Sequence, residues 1–112
     1  MSKPATRSYS RYSREAAELL GQLIRRARIE RRITVEELAA RAGLSRGLVH
    51  RIEKGDLGCA IGAVFEAAAI VGVRLFDLDQ AALTGQLSAN TAILALLPQK
   101  ARMPTKPVKD DF

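Results

Sequence analysis

Residues 34–55 read Thr34-Val35-Glu36-Glu37-Leu38-Ala39-Ala40-Arg41-Ala42-Gly43-Leu44-Ser45-Arg46-Gly47-Leu48-Val49-His50-Arg51-Ile52-Glu53-Lys54-Gly55. This stretch encodes two short helices joined by a tight turn. Val35, Leu38, Ala39 and Ala42 recur at helical spacing and give the first helix one apolar side. Thr34 and Glu37 stand in the Thr-x-x-Glu arrangement of a capping box at its start. Gly43 falls where a helix is stopped by a left-handed residue, a conformation glycine adopts without strain. Ser45 is suited to cap the second helix, whose inner stripe is Leu48, Val49 and Ile52. Its outer face is Arg46, Gly47, His50, Arg51 and Lys54. A short basic helix braced on another helix is what the major groove of DNA admits.

Outward from this core the pattern stays helical. Ser13 can cap a long helix with the stripe Ala16, Leu20, Leu23, Ile24 and Ala27, and with Arg25, Arg28, Arg31 and Arg32 on its other face. Beyond Gly55 a loop leads to Ile61, Val64, Phe65, Ala68 and Val71, which mark a fourth helix ended by Gly72. Asp77 with Gln80 starts a short fifth helix through about Leu83, stopped by Thr84-Gly85. Alternation over Val73–Leu78 also fits a strand, with helix the preferred reading. Ser88 caps a further piece carrying Ala89, Ala92, Ile93, Leu96 and Leu97, and Pro98 ends it. The expected fold class is all-α: a five-helix domain with a short helical extension and flexible ends. The expected organisation is a flexible basic arm at 1–12, a DNA-binding domain at 13–83, an extension for dimer or partner contact at 84–97, and a flexible tail at 98–112.

The chain has 112 residues and a net charge of +6, and the placement of that charge says more than its size. Residues 1–56 hold thirteen Lys and Arg against seven Asp and Glu, whereas residues 57–112 hold five against five. All the excess positive charge therefore lies in the half with the two-helix motif, which points to a polyanion. Cys59 is the sole cysteine, so no internal disulfide forms and a reducing compartment is expected. The apolar run Ala67–Val73 is too short to cross a membrane. No signal-peptide core opens the chain, so a cytoplasmic protein is expected. One histidine, one cysteine, no glycine-rich phosphate loop and no paired carboxylates argue against an enzyme, and no cofactor or metal is expected.

Leu23–Leu78 resembles the helix-turn-helix domain of the Cro/C1-type repressors, the Xre family. The likeness is carried by Leu23-Ile24-Arg25-Arg26-Ala27-Arg28, Glu36-Glu37-Leu38-Ala39, Ala42-Gly43-Leu44-Ser45, Ile52-Glu53-Lys54-Gly55 and Val71-Gly72-Val73. In that family a phosphate-binding Gln follows the Ser or Thr that opens the first motif helix. Here Val35 follows Thr34, which leaves only the backbone N–H groups at that helix start to meet a phosphate. The resemblance places Ser45, Arg46, Gly47 and His50 at base- and backbone-facing positions of the recognition helix. Arg46 is the strongest candidate for base readout, because its guanidinium can engage guanine O6 and N7 together. Arg51 and Lys54 suit phosphates. Gly47 stands where a long polar reader is common, so readout is expected either to be less sharp or to lean on DNA shape. Glu53 is read as a structural partner of Arg28 or Arg41.

The stretch from Leu75-Phe76-Asp77 through Ala95-Leu96-Leu97-Pro98 to Asp110-Asp111-Phe112 resembles HipB-like antitoxins, which are encoded beside HipA-type serine/threonine kinase toxins. That likeness implies a homodimeric repressor that autoregulates its operon and neutralises a HipA-like kinase. Its alternatives are a stand-alone Xre-family regulator and, in another class, an interaction adaptor that does not bind DNA. Leu75, Phe76, Leu78 and Leu83 form one apolar surplus suited to a dimer or partner contact, and Ile93, Leu96 and Leu97 a second. Phe112, after two acids, is a candidate anchor for the toxin.

Overall fold

Nine small and aliphatic side chains close the core: Ile24, Ile33, Leu38, Ala39, Val49, Ile52, Ala67, Ala68 and Val71. The structure, a computed structural model, describes residues 8–101. Five helices appear among them: α1 (Arg11–Glu30), α2 (Val35–Ala42), α3 (Arg46–Glu53), α4 (Ile61–Val71) and α5 (Gln80–Ala95). No strand occurs among the described residues. The described residues up to Asp77 form one compact unit and those from Leu78 another.

In the first unit α4 packs on α1 and α2, and α3 packs on α1 and α2. Ile24, Leu38, Val49 and Val71 are fully buried, one from each of these four helices. Each contributes roughly 1.5–3 kcal/mol by leaving water. Ala39, Ala67 and Ala68 keep the α2–α4 contact thin, which is how a core without tryptophan closes.

The helix ends follow from local chemistry. The Thr34 hydroxyl accepts from the Glu37 N–H at 3.0 Å, and the Glu37 carboxylate accepts from the Thr34 N–H at 2.9 Å, completing the capping box. The Ser45 hydroxyl accepts from the Leu48 N–H at 3.1 Å and opens α3. Gly43, at φ 71°, closes α2 while the Leu44 N–H reaches back to the Ala39 carbonyl at 2.9 Å. The same closure ends α1 without glycine: Arg32 stands at φ 59°, and Ile33 donates to the Arg28 carbonyl at 3.0 Å. Burying Ile33 holds that arginine in the left-handed region.

Several local expectations change. Ser10, not Ser13, caps α1, its hydroxyl accepting from the Ser13 N–H at 3.1 Å. The helix thus begins at Arg11, inside the stretch expected as an arm, and gains the Arg11–Glu15 pair at 2.9 Å. Ala16, Leu23 and Ile61, expected on inner stripes, are exposed, and Ala17 and Ala67 lie further inward. Val73–Leu78 is neither strand nor α-helix: Leu75–Asp77 is a 3₁₀ turn with Phe76 at φ 57° and Asp77 at φ 58°. Asp79, not Asp77, caps the next helix, accepting from the Ala82 N–H at 2.9 Å. Thr84-Gly85 does not stop it, so the expected fifth helix and extension are one helix, α5. A mid-helix glycine costs only about 1 kcal/mol against alanine, too little to break a capped helix. Residues 1–7 of the expected arm and 102–112 of the expected tail lie outside the described residues.

Candidate nucleic-acid interface

The α3 helix is held from below by backbone as well as by side chains. Gly21 of α1 sits so close to the C-terminal end of α3 that a Cβ there would fall on the Ile52 carbonyl oxygen and lie 2.8 Å from that of Glu53. Gly55, at φ 80°, closes α3 directly against α1, where a Cβ would come within 2.7 Å of the Glu18 Cα. Beside these approaches, Arg28 of α1 grips Glu53 of α3 at two points, 2.6 and 3.0 Å. Arg25 stands 4.0 Å from the same carboxylate. Of the two partners expected for Glu53, the structure selects Arg28. It also removes Arg28 from the outward basic face of α1.

With Val49, Ile52 and Glu53 buried, the opposite side of α3 is left to solvent. Arg46, Gly47, His50, Arg51 and Lys54 are all exposed there. At about 100° per residue they fan over an arc of about 140°. Among the described residues, the side chains of Arg46, His50 and Lys54 make no hydrogen bond or ion pair with the protein. Gly47 has open space where a Cβ would stand, so its missing side chain serves no packing need. What it leaves is bare helix surface within that arc, between Lys54 and Arg51.

Three candidate residues are already engaged. The Arg51 Nε donates to the Asp56 carboxylate at 2.8 Å, and the Gly58 N–H donates to the same carboxylate at 2.7 Å. The hydrogen bond from Arg51, then that from Gly58, holds the Asp56 carboxyl below the usual carboxylate range. The guanidinium of Arg51 is in turn held more firmly protonated by Asp56. Thr34 spends its hydroxyl and its N–H on the capping box. Ser45 likewise serves as the cap of α3. Cys59, beside this loop, is half-buried, and burial raises its thiol above the ordinary value.

The contact candidates divide as well. Phe76 is 75% exposed, whereas Leu75 packs partly against the core and Leu78 is half-buried. Ile93, Leu96 and Leu97 are exposed. Phe112 lies outside the described residues. Sequence reading passed over Gly21, although an isolated glycine inside a helical pattern is a signal for close backbone approach. It also passed over Leu87 and Leu94, both exposed on α5. No group of His, Cys, Asp and Glu among the described residues could hold a metal ion. No helix there is long and apolar enough to cross a membrane.

Comparison with family models matches residues 19–81, more than half the chain, to a helix-turn-helix domain. Neither the curated proteins nor the solved structures contain a match. The matched span runs from within α1 to the start of α5 and contains the α2-turn-α3 unit with Gly21, Arg28 and Gly55, which brace it. The chain belongs to the helix-turn-helix domain family.

Proposed function

From this membership we propose that the protein is a sequence-specific transcriptional repressor that reads double-stranded DNA with α3 and acts as a homodimer. The observation that carries the reading is the split character of α3. Its inner side is buried and clamped by Arg28, while Arg46, His50 and Lys54 stand outward without protein partners. A reader fixed in advance loses little freedom on binding, so more of each contact survives as affinity. Arg46, at the first turn, is suited to a two-point contact with guanine. Lys54 is suited to a phosphate, as is Arg51 once it shares or releases Asp56. His50 and the bare surface at Gly47 lie between them, with Ser45 and Thr34 flanking at helix starts whose N–H groups face anions favourably.

A helix of eight residues reads only a few base pairs. Useful specificity therefore calls for two half-sites about 34 Å apart, presented to a two-fold dimer. The test is selection of bound duplexes from a random pool, followed by titration of variants on the selected site. Arg46→Ala should cost roughly 1–3 kcal/mol and relax preference at one base pair. Lys54→Ala should weaken all sequences alike and flatten the salt dependence by about one phosphate contact. Equal affinity of Arg46→Ala and the parent for the selected site overturns the assignment.

The antitoxin role is a finer proposal that rests on the sequence likeness of residues 75–98 and 110–112. It expects a HipA-like kinase to co-purify with the protein from its native host and to lose its toxicity when the two are expressed together. A stand-alone regulator does neither.

A further inference from the structure

Every residue of α5 is exposed except Leu83, which is half-buried. No residue from Gln80 to Gln99 carries a charge. An uncharged helix that is apolar on more than one side belongs in contact with another surface, not in water. Its sequence also disfavours a free helix: Thr84, Gly85, Ser88, Asn90 and Thr91 are weak helix formers, and 16 residues is a marginal length alone.

The large side chains are ordered. Leu83, Leu87, Asn90, Leu94 and Leu97 follow one another at intervals of four, three, four and three, the rhythm of a helix-pairing seam. At about 100° per residue they keep within an arc of about 80°. Leu97 continues the last turn, its N–H donating to the Leu94 carbonyl at 3.1 Å. Leu87 is 67% exposed and Leu94 59%.

We propose that α5 pairs through this seam with α5 of a second copy of the chain, with Asn90 as the single polar position within it. This names the surface for the homodimer proposed above, but it does not depend on DNA. Two features favour a second copy over a foreign partner. The seam has no charge, so identical faces meet without repulsion and offer nothing to a charged partner. The Asn90 amide carries both donors and acceptors, so two facing copies satisfy each other, and one amide in a leucine seam restricts the number and register of the helices that pair.

Sedimentation equilibrium of the full chain at micromolar concentration, without DNA, tests the proposal. The parent should be a dimer. Leu87→Lys with Leu94→Lys should raise its dissociation constant at least 100-fold. Ala92→Lys, half a turn away on the opposite face, should leave it dimeric. In a Cys59→Ser background, Asn90→Cys should cross-link to a covalent dimer with a short bis-maleimide, which reads the seam without adding charge. A monomeric parent, a double variant that stays dimeric, equal dissociation by Ala92→Lys, or no cross-link overturns the proposal. A dimer that binds no DNA overturns the function proposed above and leaves this pairing standing. A monomer that binds its site overturns this pairing together with the homodimer proposed above, and leaves DNA reading by α3 standing.

Discussion

The guanidinium of Arg28 and the carboxylate of Glu53 join α1 to α3 through a two-point ion pair almost withdrawn from water, with side-chain exposures of 11% and 5%. The remaining arm of the guanidinium donates to the Ile33 carbonyl at 3.0 Å, so the same residue ties down the end of α1. Nothing in this knot is left over: among the described residues, no buried side-chain nitrogen or oxygen lacks a partner. Removing one member strands the other, which costs far more than the pair contributes over an apolar substitute. Arg28→Ala should therefore lower stability by about 3 kcal/mol in denaturant titration, with the exposed Arg25, 4.0 Å from the carboxylate, left as its remaining cation. Arg28→Met combined with Glu53→Leu should recover most of that loss. A double variant no more stable than Arg28→Ala would show that the pair itself, not the stranded charge, sets the cost.

Gly21 fixes the distance between α3 and its support, α1. A methyl group there meets the carbonyls of Ile52 and Glu53, and backbone cannot rotate away as a side chain can. The helix-propensity gain of Gly21→Ala, about 1 kcal/mol, opposes the clash. Overpacking against rigid backbone costs about 1–3 kcal/mol, so the net change should be destabilising. DNA affinity should fall further than stability alone explains, because α3 must shift to make room. Binding measured well below the melting temperature separates the two effects.

These two braces also mark what a sequence yields. Thr34, Glu37, Gly43 and Ser45 are legible because a cap is settled within one turn, by residues adjacent in the chain. Arg28 lies four residues beyond Ile24 and so on the inner side of α1, yet three neighbouring arginines invite an outward reading. Its partner Glu53 is 25 residues away, and the sequence offered that pairing as one of two, with Arg41 the other. The left-handed Arg32 and Phe76 leave no mark in residue type, whereas Asp77 is of a type that tolerates that region. The continuity of α5 was hidden by Thr84-Gly85, where a penalty of about 1 kcal/mol reads like a stop. On α3 the outward set was legible throughout, except that Arg51 could not be seen to be claimed by Asp56.

On the proposed reading of Arg51 as a phosphate contact, Asp56 competes with DNA for its guanidinium. Asp56→Asn should free the guanidinium and steepen the salt dependence of DNA binding by about one phosphate contact. Its pH dependence has a definite sign. A carboxyl held below its ordinary value stabilises the fold above the unfolded value, near 3.9, and loses that contribution as pH falls through the depressed folded value. The Asp56 carboxyl followed by NMR should titrate below the usual aspartate range, and in Arg51→Gln its midpoint should move back toward it. An unmoved midpoint would assign the shift to the Gly58 N–H alone.

Phe76 carries two costs at once: an aromatic ring 75% exposed and a backbone at φ 57°. The left-handed region costs a residue with a Cβ about 1–2 kcal/mol, and glycine and asparagine are the residues that tolerate it. The strain and the ring can be separated by substitution. Phe76→Ala removes the ring and keeps the strain, whereas Phe76→Gly removes both and Phe76→Asn replaces the ring while easing the backbone. Phe76→Asn should therefore be more stable than Phe76→Ala by about 1 kcal/mol, a rise of about 4–8 °C in Tm for a domain of this size. If the ring stays in water, Phe76→Asn should also exceed the parent. A parent more stable than both variants, at concentrations where the chain is dimeric, would mean that association covers the ring. The strain at Phe76 would then serve to hold an aromatic anchor outward, and the contact surface would include this turn as well as α5.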